Sequence, residues 1–316
     1  MQVRRTAVAL VALGVALSGC AKRGTPAASH ESPSASPPTV SFPVTLSDDD
    51  GVVLTMKAAP QRIVTWGPSN TEILFALGLG DRVIGVSGSF DDYPPQAKDI
   101  VHVGDASGVQ PNAEKVVSLH PDLVLNAFLG GDQWKARLRG LGIPVFSIYA
   151  ANLDDALHDI RTVGELTGAT AAATKVTDEM SAQARSISSK VAASPAVSCF
   201  LEEGYPGIYT VGPHTFVFDI LERAGCAPVT ADANSDYPTW SLEKLVQEDP
   251  AVYLVASESG VSASDVGKRP GFGSLAAVRN DRVYEISSDL ISRPSPRLIE
   301  GLMGLVKLLH PEVFPS

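Results

Sequence analysis

The chain has 316 residues, of which 44% are hydrophobic and 19% charged, and its formal net charge is −10. That apolar content fills one large domain or two medium ones and excludes disorder for the bulk of the chain. The acidity, with no run of Lys or Arg to offset it, argues against nucleic acid and anionic membrane surfaces as partners.

The first twenty residues stand apart. Arg4 and Arg5 precede an apolar stretch, residues 6–17, and then Leu17-Ser18-Gly19-Cys20. The stretch is too short to cross a bilayer core of about 30 Å as a helix and reads as a secretory signal. Leu-Ser-Gly-Cys resembles the bacterial lipobox, which implies acylation of Cys20 and a protein anchored outside the cytoplasmic membrane; several acyl chains make such an anchor stable. Residues 21–39 are rich in Ser, Pro, Ala and Thr and bury too little to offset ordering, so they read as a flexible tether. Cys199 and Cys226 remain, in an oxidising compartment, either as a disulfide or as two buried thiols.

Residues 40–55 predict a hairpin, two β-prone runs around an Asp-Asp-Gly turn. Strands and helices then alternate. Strands are expected at 62–66, 83–86, 123–125 and 145–148, with helices at 69–77, 112–118 and 132–141 between them. Ser69 with Glu72 three residues on reads as a capping box. Residues 153–193 are helical, interrupted at Thr167-Gly168. A second alternating block has strands at 197–201, 209–211, 252–256 and 283–286 and helices at 216–224, 242–247 and 296–309. The expectation is α/β: an N-terminal lobe over 40–150, a helical linker over 151–194 and a C-terminal lobe over 195–316. Two Rossmann-like lobes joined by a single long helix would allow only limited hinge motion.

Several segments resemble the helical-backbone class (class III) of periplasmic binding proteins, which serves iron-siderophore, haem and cobalamin ABC importers. They are Arg62-Ile63-Val64 with Pro68-Ser69-Asn70-Thr71-Glu72-Ile73-Leu74, Asp92-Tyr93-Pro94-Pro95-Gln96-Ala97, and Asn112-Ala113-Glu114-Lys115-Val116-Val117. Trp240-Ser241-Leu242-Glu243-Lys244-Leu245 and Ser292-Arg293-Pro294-Ser295-Pro296-Arg297 follow in the family's order. The likeness is nearest to the cobalamin-binding branch, through the Asp92 and Ser288-to-Arg297 segments. Where that branch sets tryptophans against the corrin, this chain has Ala106, Phe128 and Tyr237. The resemblance implies a transported metal chelate rather than a cofactor: cobalamin, or alternatively haem or a ferric siderophore. It also implies a monomer that docks on a permease dimer with its ATPase subunits. A lipoprotein that senses a ligand without transporting it is the remaining alternative.

A corrin or porphyrin is a broad apolar disc with a polar fringe, so its site needs flat aromatic faces and a few placed polar groups. Tyr93, Phe128, Tyr209, Tyr237 and Trp240 fall in loops at strand ends and are the candidate walls, although Trp240 could equally complete the core. Asp289 and Arg293 are expected at the ligand fringe, and Arg297, one turn into the helix, as a structural or surface residue. Glu114 and Glu243 occupy corresponding places in the two lobes, and the resemblance implies that they dock on arginines of the permease. The six histidines show no metal-ligand spacing, although His214 in its loop could serve as an axial ligand. No Gly-x-Ser-x-Gly elbow, Walker loop or Gly-x-Gly-x-x-Gly fingerprint occurs, so an enzyme is not expected.

Overall fold

The computed structural model describes residues 41–105 and 110–314. The predicted signal, Cys20, the whole tether and Ala106 lie outside the described residues. None of the described helices is long and apolar enough to cross a membrane.

The chain opens with an antiparallel hairpin, β1 (Val44–Ser47) and β2 (Val53–Met56). Its turn does more than reverse the chain. Asp48 accepts from the Val52 and Ser147 amides at 2.7 and 3.2 Å, and Asp49 from the Tyr149 amide at 2.6 Å. The acids thereby clip the hairpin onto the first lobe. That lobe holds β3 (Ile63–Trp66), α1 (Pro68–Ala76), β4 (Val83–Gly85), α2 (Ala113–Ser118), β5 (Leu123–Asn126), α3 (Asp132–Gly140) and β6 (Val145–Ser147). Its four strands are all parallel, in the order β4-β3-β5-β6. β3, β5 and β6 are buried at every position, as a sheet covered on both faces requires.

The linker is two helices, α4 (Leu153–Thr167) and α5 (Thr170–Val191), separated by Gly168 in the left-handed conformation. α5 runs back against α4: Arg161 Nε donates to Thr177 Oγ1 at 2.9 Å, and a Cβ on Gly164 would come within 2.4 Å of Ala173 Cβ. With 22 residues, α5 is the long strut, about 33 Å at 1.5 Å per residue.

The second lobe contains β7 (Val197–Glu202), β8 (Ile208–Tyr209), α6 (Phe216–Arg223), β9 (Cys226–Pro228), β10 (Thr239–Trp240), α7 (Leu242–Glu248) and β11 (Val252–Ala256). It ends with two single-turn helices, α8 (Ala263–Val266) and α9 (Ala276–Arg279), then β12 (Val283–Ile286), α10 (Ser288–Ser292) and α11 (Leu298–Leu309). Its main sheet is again four parallel strands, in the order β12-β11-β7-β9. Numbered within each four-stranded sheet, the strands of both read 2-1-3-4, so one topology is used twice. α5 packs on α11, and one apolar core runs from Ile63 and Leu125 through Leu166 and Met180 to Leu254 and Leu305. A core continuous through the strut limits how far the lobes can swing. Cys199 and Cys226 lie on adjacent strands in disulfide geometry, with Cα atoms 5.8 Å apart.

Candidate functional site

The loops after β3, β4 and β5 meet the segments after β11 and β12 around a cleft of about 630 Å3. This is the carboxyl end of both sheets, where open α/β folds bind ligands. From the first lobe come Trp66, Gly67, Phe90, Phe128 and Leu129; from the second, Glu258, Asp289, Ser292, Arg293 and Pro294. Gly67 (φ 128°) lets two of these loops touch, since a Cβ there would lie 2.6 Å from Ala127 Cβ. Trp66, almost wholly buried, forms the floor and meets the edges of Phe128 and Trp134, with ring centroids 6.1 and 6.5 Å away. Phe90, Phe128 and Leu129 are exposed around it, giving the first lobe an apolar face.

The second lobe presents acid. Burial, then the charge of Asp289 and a hydrogen bond with it, pushes the Glu258 carboxyl up, with Arg293 opposing. Glu203 is pushed up by burial and by the Glu258 charge. Arg293 is the single basic side chain among the described residues lining the cleft, and its guanidinium is already taken. It donates to Glu72 at 3.0 Å and pairs with Asp289 at 2.5 Å and Asp92 at 3.6 Å. Glu72, on α1, also accepts from Ser295 Oγ at 2.6 Å and lies 3.7 Å from Arg297. Burial pushes its carboxyl up, against the pull of those hydrogen bonds and charges.

Glu72 is therefore no capping-box residue: the N-cap of α1 is Gly67, which offers no side-chain cap, and the carboxylate crosses to the other lobe. Of the expected site residues, the structure brings together Phe128, Asp289 and Arg293. The Arg293 fork, expected to face a ligand, instead spends its donors on Glu72 and Asp92 of the first lobe and on Asp289 of its own. Tyr93 lies in a separate crevice, its ring 3.9 Å from the Arg297 guanidinium, so Arg297 and Tyr93 form one stacked pair. Tyr209, on β8, and Tyr237, in the loop before β10, are exposed and are not among the lining residues. Tyr237 sits at the acidic edge, its phenol pushed up by partial burial and by the Glu203 and Asp236 charges.

Trp240 is not a wall of the cleft. Pairing of β10 with β8 turns it into the second-lobe core with Ile208, Leu245 and Phe272, under the Lys244 ammonium at 3.9 Å. His214 is exposed in its loop, away from the lining. Glu114 and Glu243 are both exposed in the first turn of a short helix whose cap has the same form. Asn112 accepts from the Lys115 amide, and Ser241 from the Lys244 amide. Trp66, Phe90 and Glu258 were missed by the sequence reading. The available signal was their position at the carboxyl ends of strands predicted as parallel.

Residues 63–290 match the periplasmic binding protein family. The uncharacterized ABC transporter substrate-binding lipoprotein YvrC of Bacillus subtilis is 35% identical over 315 residues, covering 97% of this chain and 96% of its own length. A cobalamin-binding protein of Halobacterium salinarum is 35% identical over 285 residues, covering 85% of this chain and 75% of its own. Among solved structures, the periplasmic haem-binding protein RhuT of Roseiflexus superposes with a TM-score of 0.71 at 25% identity, covering 80% of this chain and 99% of that one. The matched span embraces both sheets, the strut between them and most of the segments that line the cleft, so the chain belongs to the periplasmic binding protein family, as a substrate-binding protein of the ABC-transporter kind rather than an enzyme.

Proposed function

We propose that the chain captures cobalamin outside the cytoplasmic membrane and delivers it to an ABC permease. The observation that carries this reading is the charge of the cleft: an apolar wall faces an acid-rich rim whose single lining cation is already paired. Haem brings two carboxylates and ferric catecholates bring net negative charge, and either would meet Glu258 and Asp289 without a free cation to receive it. The corrin fringe is mostly amides, which can donate to those carboxylates. The cleft volume falls in the roughly 300–1,000 Å3 range of small-molecule sites. The 35% identity to a cobalamin-binding protein points the same way.

In this reading Phe128 and Trp66 receive the flat face of the corrin, Asp289 and Glu258 its amides, and Tyr237 and Tyr209 flank the open edge. Cys20 carries the lipid anchor, Cys199 and Cys226 are bridged, and the protein acts as a monomer. Glu114 and Glu243, one per lobe and both exposed, register the two lobes on a two-fold permease with its ATPase subunits. Calorimetric titration of the chain from Ala21 onward with cyanocobalamin, haem and a panel of ferric siderophores tests the ligand. Saturable binding of cyanocobalamin with no binding of haem is expected; tight binding of haem or a siderophore in its place overturns the reading. Glu114→Ala with Glu243→Ala is expected to leave ligand binding intact and abolish uptake, and normal uptake refutes the docking role.

A further inference from the structure

Phe128 stands on a segment with little to hold it. Between the end of β5 and the start of α3 lie five residues, 127–131, and the last two, Gly130 and Gly131, are both left-handed with φ of 78° and 75°. Phe128 itself is about half exposed, supported on one edge by Trp66. Yet both of its backbone polar groups are bonded, and to one side chain. Asn126 Oδ1 accepts from the Phe128 amide at 3.2 Å, and Asn126 Nδ2 donates to the Phe128 carbonyl at 2.9 Å.

The Asn126 carboxamide is fully buried, and a chain of charge sets which way round it sits. Lys135 Nζ, also buried, donates to Asp50 at 2.8 Å. Ser147 Oγ and Tyr149 Oη donate to the same Asp50 carboxylate at 2.8 and 3.1 Å. With their protons committed to Asp50, both hydroxyls offer only lone pairs to Asn126; they lie 3.2 and 2.9 Å from Nδ2, whose two N–H groups are shared between them and the Phe128 carbonyl. The amide nitrogen must face the hydroxyls, so Oδ1 faces the Phe128 amide. The Asp50 turn of the hairpin thus reaches the cleft wall through a network that is exposed at Asp50 and buried at Lys135, Ser147 and Asn126.

We propose that Asn126 is a positioning residue for the ligand: it clamps the backbone of Phe128, and so sets where the apolar wall of the cleft stands. The affinity part of this inference rests on the cobalamin reading; the clamp itself does not. Amide hydrogen exchange on the ligand-free chain reads the clamp alone. The Phe128 amide is expected to be protected despite its exposed loop, and Asn126→Ala to speed its exchange at least roughly tenfold, the effect of losing about 1.4 kcal/mol of local protection. An unprotected Phe128 amide in the parent protein, or unchanged exchange in the variant, overturns the clamp.

The effect on ligand is read by a double-mutant cycle with cyanocobalamin. Asn126→Ala is expected to weaken binding about tenfold in the parent and less than about twofold in a Phe128→Ala background, because it acts through that ring. An equal loss in both backgrounds would mean general destabilisation and overturns the positioning role. Should Asn126→Ala fail to fold, Tyr149→Phe, which removes one of the hydroxyls orienting the amide, is expected to show a smaller loss with the same dependence on Phe128. If the parent does not bind cyanocobalamin, the ligand reading falls, and the exchange experiment still decides the clamp.

Discussion

Replacing Glu72 tests how the two lobes are held together. Its carboxylate is 3% exposed on α1 of the first lobe, and its partners Arg293, Ser295 and Arg297 all belong to the second. Glu72→Ala leaves Arg293, itself 8% exposed, without its most buried counter-charge. Removing one partner of a buried pair costs about 3–5 kcal/mol. Arg293 keeps Asp289 at 2.5 Å and Asp92 at 3.6 Å, so the lower end applies, about 3 kcal/mol. Glu72→Gln keeps a hydrogen-bonding oxygen for Arg293 or Ser295 and avoids burying a charge that the site already disfavours, as the raised Glu72 pKa records. Its cost is expected nearer 1–1.5 kcal/mol, roughly that of weakened hydrogen bonds. Replacing Glu72 and Arg293 together by Met removes both charges, and is expected to destabilise less than Glu72→Ala alone. Urea denaturation followed by tryptophan fluorescence measures all four proteins, with ~3 kcal/mol corresponding to a Tm fall of roughly 6–12 °C. The reasoning is refuted if Ala and Gln cost the same, or if the double Met variant is the least stable of the set.

Cys199→Ser with Cys226→Ser opens a loop of 27 residues and is expected to cost roughly 3.5 kcal/mol by loop entropy; an unchanged urea midpoint would mean the bridge does not form. Asp159, buried on α4, is pushed up to about 7 by burial and by the charges of Asp49 and Asp155. The folded chain there holds a proton that the unfolded chain has released, so this contribution is complete below about pH 4 and is lost as pH rises towards 7, by at most roughly 4 kcal/mol. Asp159→Asn should flatten that slope and stabilise the protein at pH 8, and a melting profile parallel to the parent's refutes the assignment. Glu258→Gln removes a carboxyl from the cleft rim while leaving Arg293 its other partners. It is expected to admit haem measurably more tightly in an absorbance titration, and no gain would count against selection by charge.

The alternation of strands and helices was legible because buried parallel strands are nearly continuous apolar runs, as in Ile63-Val64-Thr65-Trp66 and Val252-Tyr253-Leu254-Val255-Ala256. Helix starts at Asn112 and Ser241 were legible because their caps are local. β9, with the sequence Cys-Ala-Pro, and the two-residue β10 escaped because the sheet around them, and not local preference, makes them strands. Glu72 was misread for a related reason. Its spacing from Ser69 fits a cap, while its actual partner Arg293 lies 221 residues away. The cleft suffered most. Trp66 closes a strand read as core, and Trp240 sits in a segment read as loop, so exposure could not be judged for either until the sheets were assembled.

The repeated 2-1-3-4 topology explains why one cleft can be so unlike on its two sides. Each lobe directs the carboxyl ends of its strands at the other, so both sets of loops are equally placed to meet a ligand. The first lobe sets Trp66, Phe90, Phe128 and Leu129 there beside Ser69, Ser87 and Ser89, and the second lobe supplies the carboxyls of Glu258 and Asp289. Arg293 comes from the second lobe but is neutralised in part by Glu72 of the first, and that cross-lobe pairing keeps the cleft acidic. The pair that joins the lobes is thus also what removes the cation an anionic chelate would need. Loosening it by Glu72→Gln frees positive charge at the cleft as it weakens the joint, so lobe attachment and ligand charge preference should change together in that variant.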